Sequence, residues 1–312
     1  MEPIIFHPHY MERVWGGRSL ESVYQRQLPS QDVPYGESWE MTDRQEAQSV
    51  VTGGKYDGAT LNTLWNEYRE EVFGKDMPDC DRFPLLIKIL DAQSDLSVQV
   101  HPPQEQADAL GGEPKTEMWF IADAEPDAKL YVGVEAGVTK ESFEQAILDG
   151  TVEEQIHSID AKTGESIHIE SGRLHAIGAG ILIYEIQQNS DTTYRVYDWN
   201  RVGLNGKPRD LHVRESMMCI DFDDVTPVLE PPTCTKISDC EYFKVDHRHA
   251  DANEEVRPHV DGRFAIFTVV SGQLNSVEGK TFVAGDFFLM PVGASPLRAT
   301  ADTEYLETII PA

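Results

Sequence analysis

Basic residues are scarce. Lysine and arginine together number 26 against 54 acidic residues, a formal net charge of −28. Such a field repels nucleic acid and anionic membrane surfaces. It repels an anionic ligand as well, so a site for one must carry its own local cations. Most of the acidic residues read simply as a solvated surface. Cysteine is sparse too: Cys80, Cys219, Cys234 and Cys240 are scattered and form no CxxC. That excludes a disulfide framework and suits a reducing interior. No apolar run approaches the length of a membrane span. The opening Met1-Glu2-Pro3-Ile4-Ile5-Phe6 lacks the basic start and apolar stretch of a signal peptide. A cytoplasmic location is the expectation.

What is present is a globular composition. At 312 residues and 40% hydrophobic, the chain can bury a large core in one domain or two. Short strands with turns dominate the pattern. Helical patterns interrupt them at about 60–73, 104–110, 139–157 and 210–220. Thr60 can cap the first, a Thr151/Glu154 capping box is expected in the third, and Asp210 is expected to cap the fourth. From about Asp223 a proline-bearing linker (Pro227, Pro231, Pro232) leads to a last β segment. Gly164 to Gly172 and Gly285 to Gly293 share one spacing, which reads as a repeated β unit. Where the first copy places His175, the second has Ala294, Ser295 and Pro296.

The stretch of most chemical interest is Asp95-Leu-Ser-Val-Gln-Val-His-Pro-Pro103. As a strand it puts Ser97, Gln99 and His101 on one face and Leu96, Val98 and Val100 on the other. An amide and an imidazole two residues apart can converge on one borderline metal ion such as zinc. The same pattern also describes an amphipathic strand with a solvated face. In Lys115-Thr-Glu-Met-Trp-Phe-Ile121, Lys115, Glu117 and Trp119 share a face, and Glu117 can add a carboxylate to that metal. A surface strand is the competing reading there. His175 follows a glycine turn, with His168 as the rival ligand on a strand between two isoleucines.

Charges inside apolar strands mark further candidates. Lys88 lies within Phe83–Leu90 and Glu185 within Ile181–Gln188. A buried lysine is costly without a partner and reads as a cation kept for an anionic ligand. A buried carboxylate is pushed toward a working pKa and reads as a general base. Arg195 can fork onto a phosphate or stabilise an oxyanion, or it can pair with Asp191 or Asp198. Trp15 and Trp39 each sit near glycines, and Glu37 and Glu40 are weaker pocket candidates. His7, His9, His247 and His249 read as loop histidines.

Trp15-Gly16-Gly17, Gly36-Glu37-Ser38-Trp39-Glu40, Leu96 to Pro102, Lys115 to Met118, Leu174-His175-Ala176 and Asp191 to Arg195 closely resemble the type I mannose-6-phosphate isomerases (phosphomannose isomerases) in their short bacterial form. The resemblance covers most of the chain. It implies a mainly β cupin: two jelly-roll barrels with a small helical addition. Residues 1–222 would be a zinc-bearing catalytic domain and 223–312 a second, metal-free one. It implies one zinc per chain on Gln99, His101, Glu117 and His175. Arg195 would be catalytic, Glu185 a candidate base, and Lys115 a neighbouring cation or a base of lowered pKa. Ser97, Lys88 and Lys115 would contact a sugar phosphate, with Trp15 and Glu40 lining its pocket. The family's phosphate-binding lysine maps only loosely, to Lys207. Glu170 stands where the cupin pattern usually has proline before His175. A monomer or weak homodimer is expected. Another sugar-phosphate isomerase or a non-catalytic sugar-binding cupin would share these features.

Overall fold

The structure is a computed structural model and describes residues 1–311. It is mainly β, with strands β1 to β22 numbered along the chain. No helix among the described residues is long and apolar enough to cross a membrane. The chain packs as two compact units. The first, here the site unit, holds Tyr10–Ser38 and Lys88–Pro232. The second, the C-terminal unit, holds Met1–His9, Trp39–Ile87 and Thr233 onward. The expected single cut at 222/223 therefore differs from the packing. Prolines in sequence mark a linker, but which distant segments share a core is decided by long-range pairing.

The larger sheet associated with the site unit runs β1 (His9–Gly17), β2 (Tyr35–Met41), β5 (Leu85–Ala92), β12 (Ile181–Gln188), β7 (Glu117–Ala124), β10 (Ser166–Ile169). A second sheet runs β13 (Tyr194–Tyr197), β6 (Val98–Val100), β11 (His175–Ile177), β8 (Lys129–Val134), β9 (Ile156–Asp160). The core lies between them, where Trp119, Ile121, Ile167 and Ile183 of one meet Leu130, Val132 and Ile177 of the other. Close approach is built in at one corner: a Cβ on Gly36 would lie 2.6 Å from the Trp15 ring, so only glycine fits.

The C-terminal unit repeats this logic. One sheet runs β14 (Lys236–Asp239), β15 (Lys244–Ala250), β22 (Thr303–Ile309), β17 (Ala265–Ser271), β20 (Phe287–Met290). The other runs β16 (Glu255–Val256), β21 (Leu297–Ala299), β18 (Gln273–Asn275), β19 (Thr281–Val283). Two short strands, β3 (Asp43–Arg44) and β4 (Ala47–Gln48), pair with each other. The glycine spacing is real architecture: β10 and β20 each begin two residues after Gly164 and Gly285. His247 and His249 lie in β15 rather than in a loop, and His9 opens β1.

Three of the four helical patterns give helices shorter than expected. The first breaks at Tyr68 into Leu61–Glu67 and Arg69–Val72, with Thr60 capping by accepting from Thr63 N. Gln104–Leu110 ends at left-handed Gly111 as expected. The third is Lys140–Asp149, and its capping box is Thr139/Ser142, not Thr151/Glu154. Gly150 at φ 73° ends it, and residues from Ile156 turn to strand. The fourth starts at Val213 with His212 as N-cap, so Asp210 lies outside it.

Candidate active site

The alternation read from Leu96–His101 holds. Val98 and Val100 are buried in the core, and Gln99 and His101 turn to the other face. β11 lies antiparallel beside β6 and sets His175 directly opposite Gln99. The Gln99 amide is 3.2 Å from His175 Nε2. β7 belongs to the facing sheet and brings Glu117 in from there. The donor atoms of His101, Glu117 and His175 lie within 4.8 Å of one another, and all three side chains are buried.

The imidazoles are preset as ligands. His101 Nδ1 donates to Thr192 O at 2.9 Å, and His175 Nδ1 donates to Arg173 O at 2.9 Å. Each ring therefore keeps its proton on Nδ1 and aims a bare Nε2 at Glu117. These Nε2 atoms lie 3.5 and 3.7 Å from the Glu117 oxygens. His101 Nε2 and both Glu117 oxygens are buried without a hydrogen bond of acceptable geometry. Lys115 Nζ is an ion-pair neighbour of Glu117 at 2.7 Å, but one ammonium does not satisfy this set. Convergent buried lone pairs of two imidazoles and a carboxylate, with an amide beside them, suit a divalent metal such as zinc. Turning the Gln99 amide over would present its oxygen as a fourth donor.

The electrostatics follow from burial. Burial and the Lys115 charge lower the His101 pKa; burial and His101 lower that of His175 to about 3. Both rings are neutral. Burial alone would raise Glu117, but Lys115 and His101 hold it well below the usual range. Burial alone would likewise lower Lys115, but Glu117 and Glu185 raise it. Lys115 is thus an ammonium, which argues against its reading as a base of lowered pKa. Glu185 is raised, by burial first and by Glu117 second. Its Oε1 accepts from Trp119 Nε1 at 3.2 Å, and Lys88 Nζ lies 3.1 Å from Oε2.

These groups open into a cavity of about 580 Å³. Trp15, Lys88, Ser97, Gln99, Lys115, Glu185 and Arg195 all line it. Arg195 sits opposite Gln99 in β13, donates from Nε to Ser97 Oγ at 3.1 Å and from Nη1 to Asp210 O at 3.0 Å. Among the described residues it has no carboxylate at ion-pair distance. Asp198 is taken instead by Arg201 and Arg209. The turn before His175 is held without proline: Gly172 N donates to His101 O at 2.8 Å, and Arg173 forks onto Asp224 at 2.7 and 2.9 Å.

Two expected contacts are not brought to the cavity. Glu40 is three residues from Glu37 in β2, an odd offset that puts it on the opposite face; Glu37 lines the cavity and Glu40 does not. Lys207 is exposed in its loop, and the basic group which that loop delivers is Arg209. Sequence reading also missed Arg13, Asp191 and His212. Arg13 forks onto Glu37 at 2.8 and 3.1 Å. Its signal was parity with Trp15 on one strand.

A two-sheet cupin fold with a buried His/Glu/His set beside Gln99 and Lys115 of a cation-lined cavity defines a cupin of enzymatic type with a candidate metal site. The description of the type I phosphomannose isomerase catalytic domain matches residues 4–118. Mannose-6-phosphate isomerase ManA of Bacillus subtilis (strain 168) is 37% identical over 99% of this chain and 98% of its own. A crystal structure of the mannose 6-phosphate isomerase from Bacillus subtilis superposes with a TM-score of 0.87 at 32% identity, covering 99% of this chain and 100% of that one. A mannose 6-phosphate isomerase bound with zinc and yttrium shares the fold, with a TM-score of 0.75 at 15% identity over 100% of both chains. The chain belongs to the type I phosphomannose isomerases.

Proposed function

We propose that this chain interconverts mannose 6-phosphate and fructose 6-phosphate through a cis-enediol, with one zinc ion held by Gln99, His101, Glu117 and His175. The observation that carries the reading is the buried His101/Glu117/His175 set, with its unsatisfied lone pairs, in contact with Gln99 and Lys115 of a cavity that also bears Glu185, Lys88 and Arg195. Its relatives' names supply the substrate. Zinc, when bound, would offset negative charge developing on the sugar oxygens.

The chain's own residues divide the remaining work. Trp119 fixes one Glu185 oxygen, and Oε2, which lies 3.1 Å from the Lys88 ammonium, takes the proton from C2 and returns it to C1. Burial raises Glu185 toward the pH at which a carboxylate can do both. Lys115 is held as an ammonium beside the cluster and favours the charged enediolate oxygen over the uncharged carbonyl oxygen of the substrate. Arg195, oriented by Ser97, lies on the same wall and takes a second developing oxyanion or the phosphate. These cations answer the repulsion of an anionic substrate by a chain of charge −28. The four free cysteines fit a cytoplasmic setting.

The test is a coupled assay on mannose 6-phosphate, paired with metal analysis of the same sample. Activity should vanish after chelation and return with zinc. Arg195→Ala should keep its metal and lose turnover. Full activity in the metal-stripped protein would overturn the reading.

A further inference from the structure

The C-terminal unit contains its own cavity, of about 520 Å³, lined among others by Arg248, Arg257, His259 and Tyr305. Two of its lining residues, Arg248 and His259, hold the buried carboxylate of Glu307, which is not itself in the lining. In the site unit, β10 pairs with β7 so that Ile167 faces Trp119, and Glu185 of β12 lies opposite the same tryptophan. In the C-terminal unit Phe288 faces Phe267, and Glu307 of β22 lies opposite that phenylalanine. Glu307 thus holds the position of Glu185, and each is 3% exposed. The other sheet agrees. His175 stands opposite Gln99, three residues after Gly172. Three residues after Gly293 is Pro296, and the β16/β21 register, which ends with Val256 opposite Leu297, would put Arg257 opposite Pro296 if carried on by one residue. Arg257 and His259 therefore occupy the positions of Gln99 and His101. The metal set itself is gone: Ala265 holds the place of Glu117 and Pro296 that of His175.

What replaces it is a built polar lining. Glu307 is clamped by His259, from its backbone N–H and Nδ1 at 2.7 Å each, and by Arg248 Nε at 3.2 Å. Arg248 also donates to Asp246 at 2.6 Å. Arg257 reaches Glu255 at 3.4 Å. Two kinds of small ligand could use such donors. A phosphate dianion would have to displace these carboxylates or sit among them, in a chain already strongly negative. A neutral hydroxyl needs only the N–H groups and carboxylate lone pairs left over, since each hydroxyl both donates and accepts. The charge balance decides for the second. The volume is that of a small-molecule site.

We propose that the C-terminal unit is a second, metal-independent binding site for a neutral, hydroxyl-rich molecule of monosaccharide size, formed by Arg257, His259, Arg248 and Glu255. The test uses the full-length, zinc-loaded protein with free mannose and inorganic phosphate as probes. Imidazole 1H–15N signals of His247, His249 and His259 are followed, assigned by single His→Gln variants. Mannose should shift these signals saturably, and phosphate at equal concentration should leave them in place. Arg257→Ala should weaken mannose binding here roughly tenfold without changing turnover of mannose 6-phosphate. Arg257→Gln, which keeps amide donors and guards against misfolding in the first variant, should recover part of the loss. Absence of a saturable shift with mannose, shifts with phosphate alone, or undiminished binding in Arg257→Ala would each overturn the proposal.

Discussion

Replacing Lys115 by methionine separates the charge of the site from its shape. Lys115 Nζ and Glu117 Oε2 lie 2.7 Å apart, with both residues buried. At an effective dielectric near 20 their attraction is about 6 kcal/mol before desolvation is counted. Methionine keeps most of the volume, so the variant is left with an uncompensated buried carboxylate. Removing one partner of such a pair costs about 3–5 kcal/mol. That cost belongs to the metal-free protein. With a divalent cation on the ligand set, Glu117 has another counter-charge and the Lys115 ammonium is a repelling neighbour, so the loss shrinks. A thermodynamic cycle then requires the variant to bind metal more tightly by the difference between the two losses. A difference of about 2 kcal/mol corresponds to roughly thirtyfold in Kd. Denaturant midpoints of wild type and Lys115→Met, each with chelator and with saturating zinc, measure both losses; a zinc titration closes the cycle. Equal losses under both conditions, with unchanged zinc affinity, would refute the claim that lysine and metal share Glu117.

Other consequences are simpler to read. Glu185 is raised by burial, so the acid limb of kcat/KM should lie above the ordinary carboxylate range; Glu185→Gln should lose turnover while retaining zinc, and an unshifted limb would remove the assigned base. His175 is lowered to about 3 when folded and titrates near 6.5 when unfolded, so between these values the unfolded chain binds more protons. Metal-free stability should therefore be fully present above about 6.5 and fall as the pH drops toward 3, which denaturation midpoints across that window would show. Arg209→Ala should raise KM for the sugar phosphate by about tenfold, whereas Lys207→Ala should leave it nearly unchanged; the reverse order would restore the lysine to the site.

Part of the candidate metal set was legible because strand periodicity is rigid. Gln99 and His101 share a face whatever the fold, and Lys115 and Glu117 do likewise. Glu117 and His175 were candidates on their own strands, but the full set was implied by resemblance, since their meeting depends on β11 pairing with β6 while β7 lies in the facing sheet. Parity also had unused content: it separates Glu37 from Glu40 and joins Arg13 to Trp15. The loop from Asp198 to Asp210 was not legible in this way. Its shape is set by Asp198 gathering Arg201 and Arg209, and no local pattern says which cation that carboxylate takes.

The repeat shows the same limit from the other side. Equal glycine spacing announces a second copy of the β unit, with Ala294, Ser295 and Pro296 in the stretch that corresponds to His175. It does not show that Arg257 and His259 stand for Gln99 and His101, because the two segments lie at different distances from their glycines along the chain. Only the β16/β21 register, carried on past Val256, points to that correspondence. One fold position thus holds two chemistries. Where Glu117 and His175 are present, an amide and an imidazole face a metal-ligand set. Where alanine and proline replace them, an arginine takes the amide's place and the imidazole turns to the buried carboxylate of Glu307, so ligation gives way to hydrogen bonding.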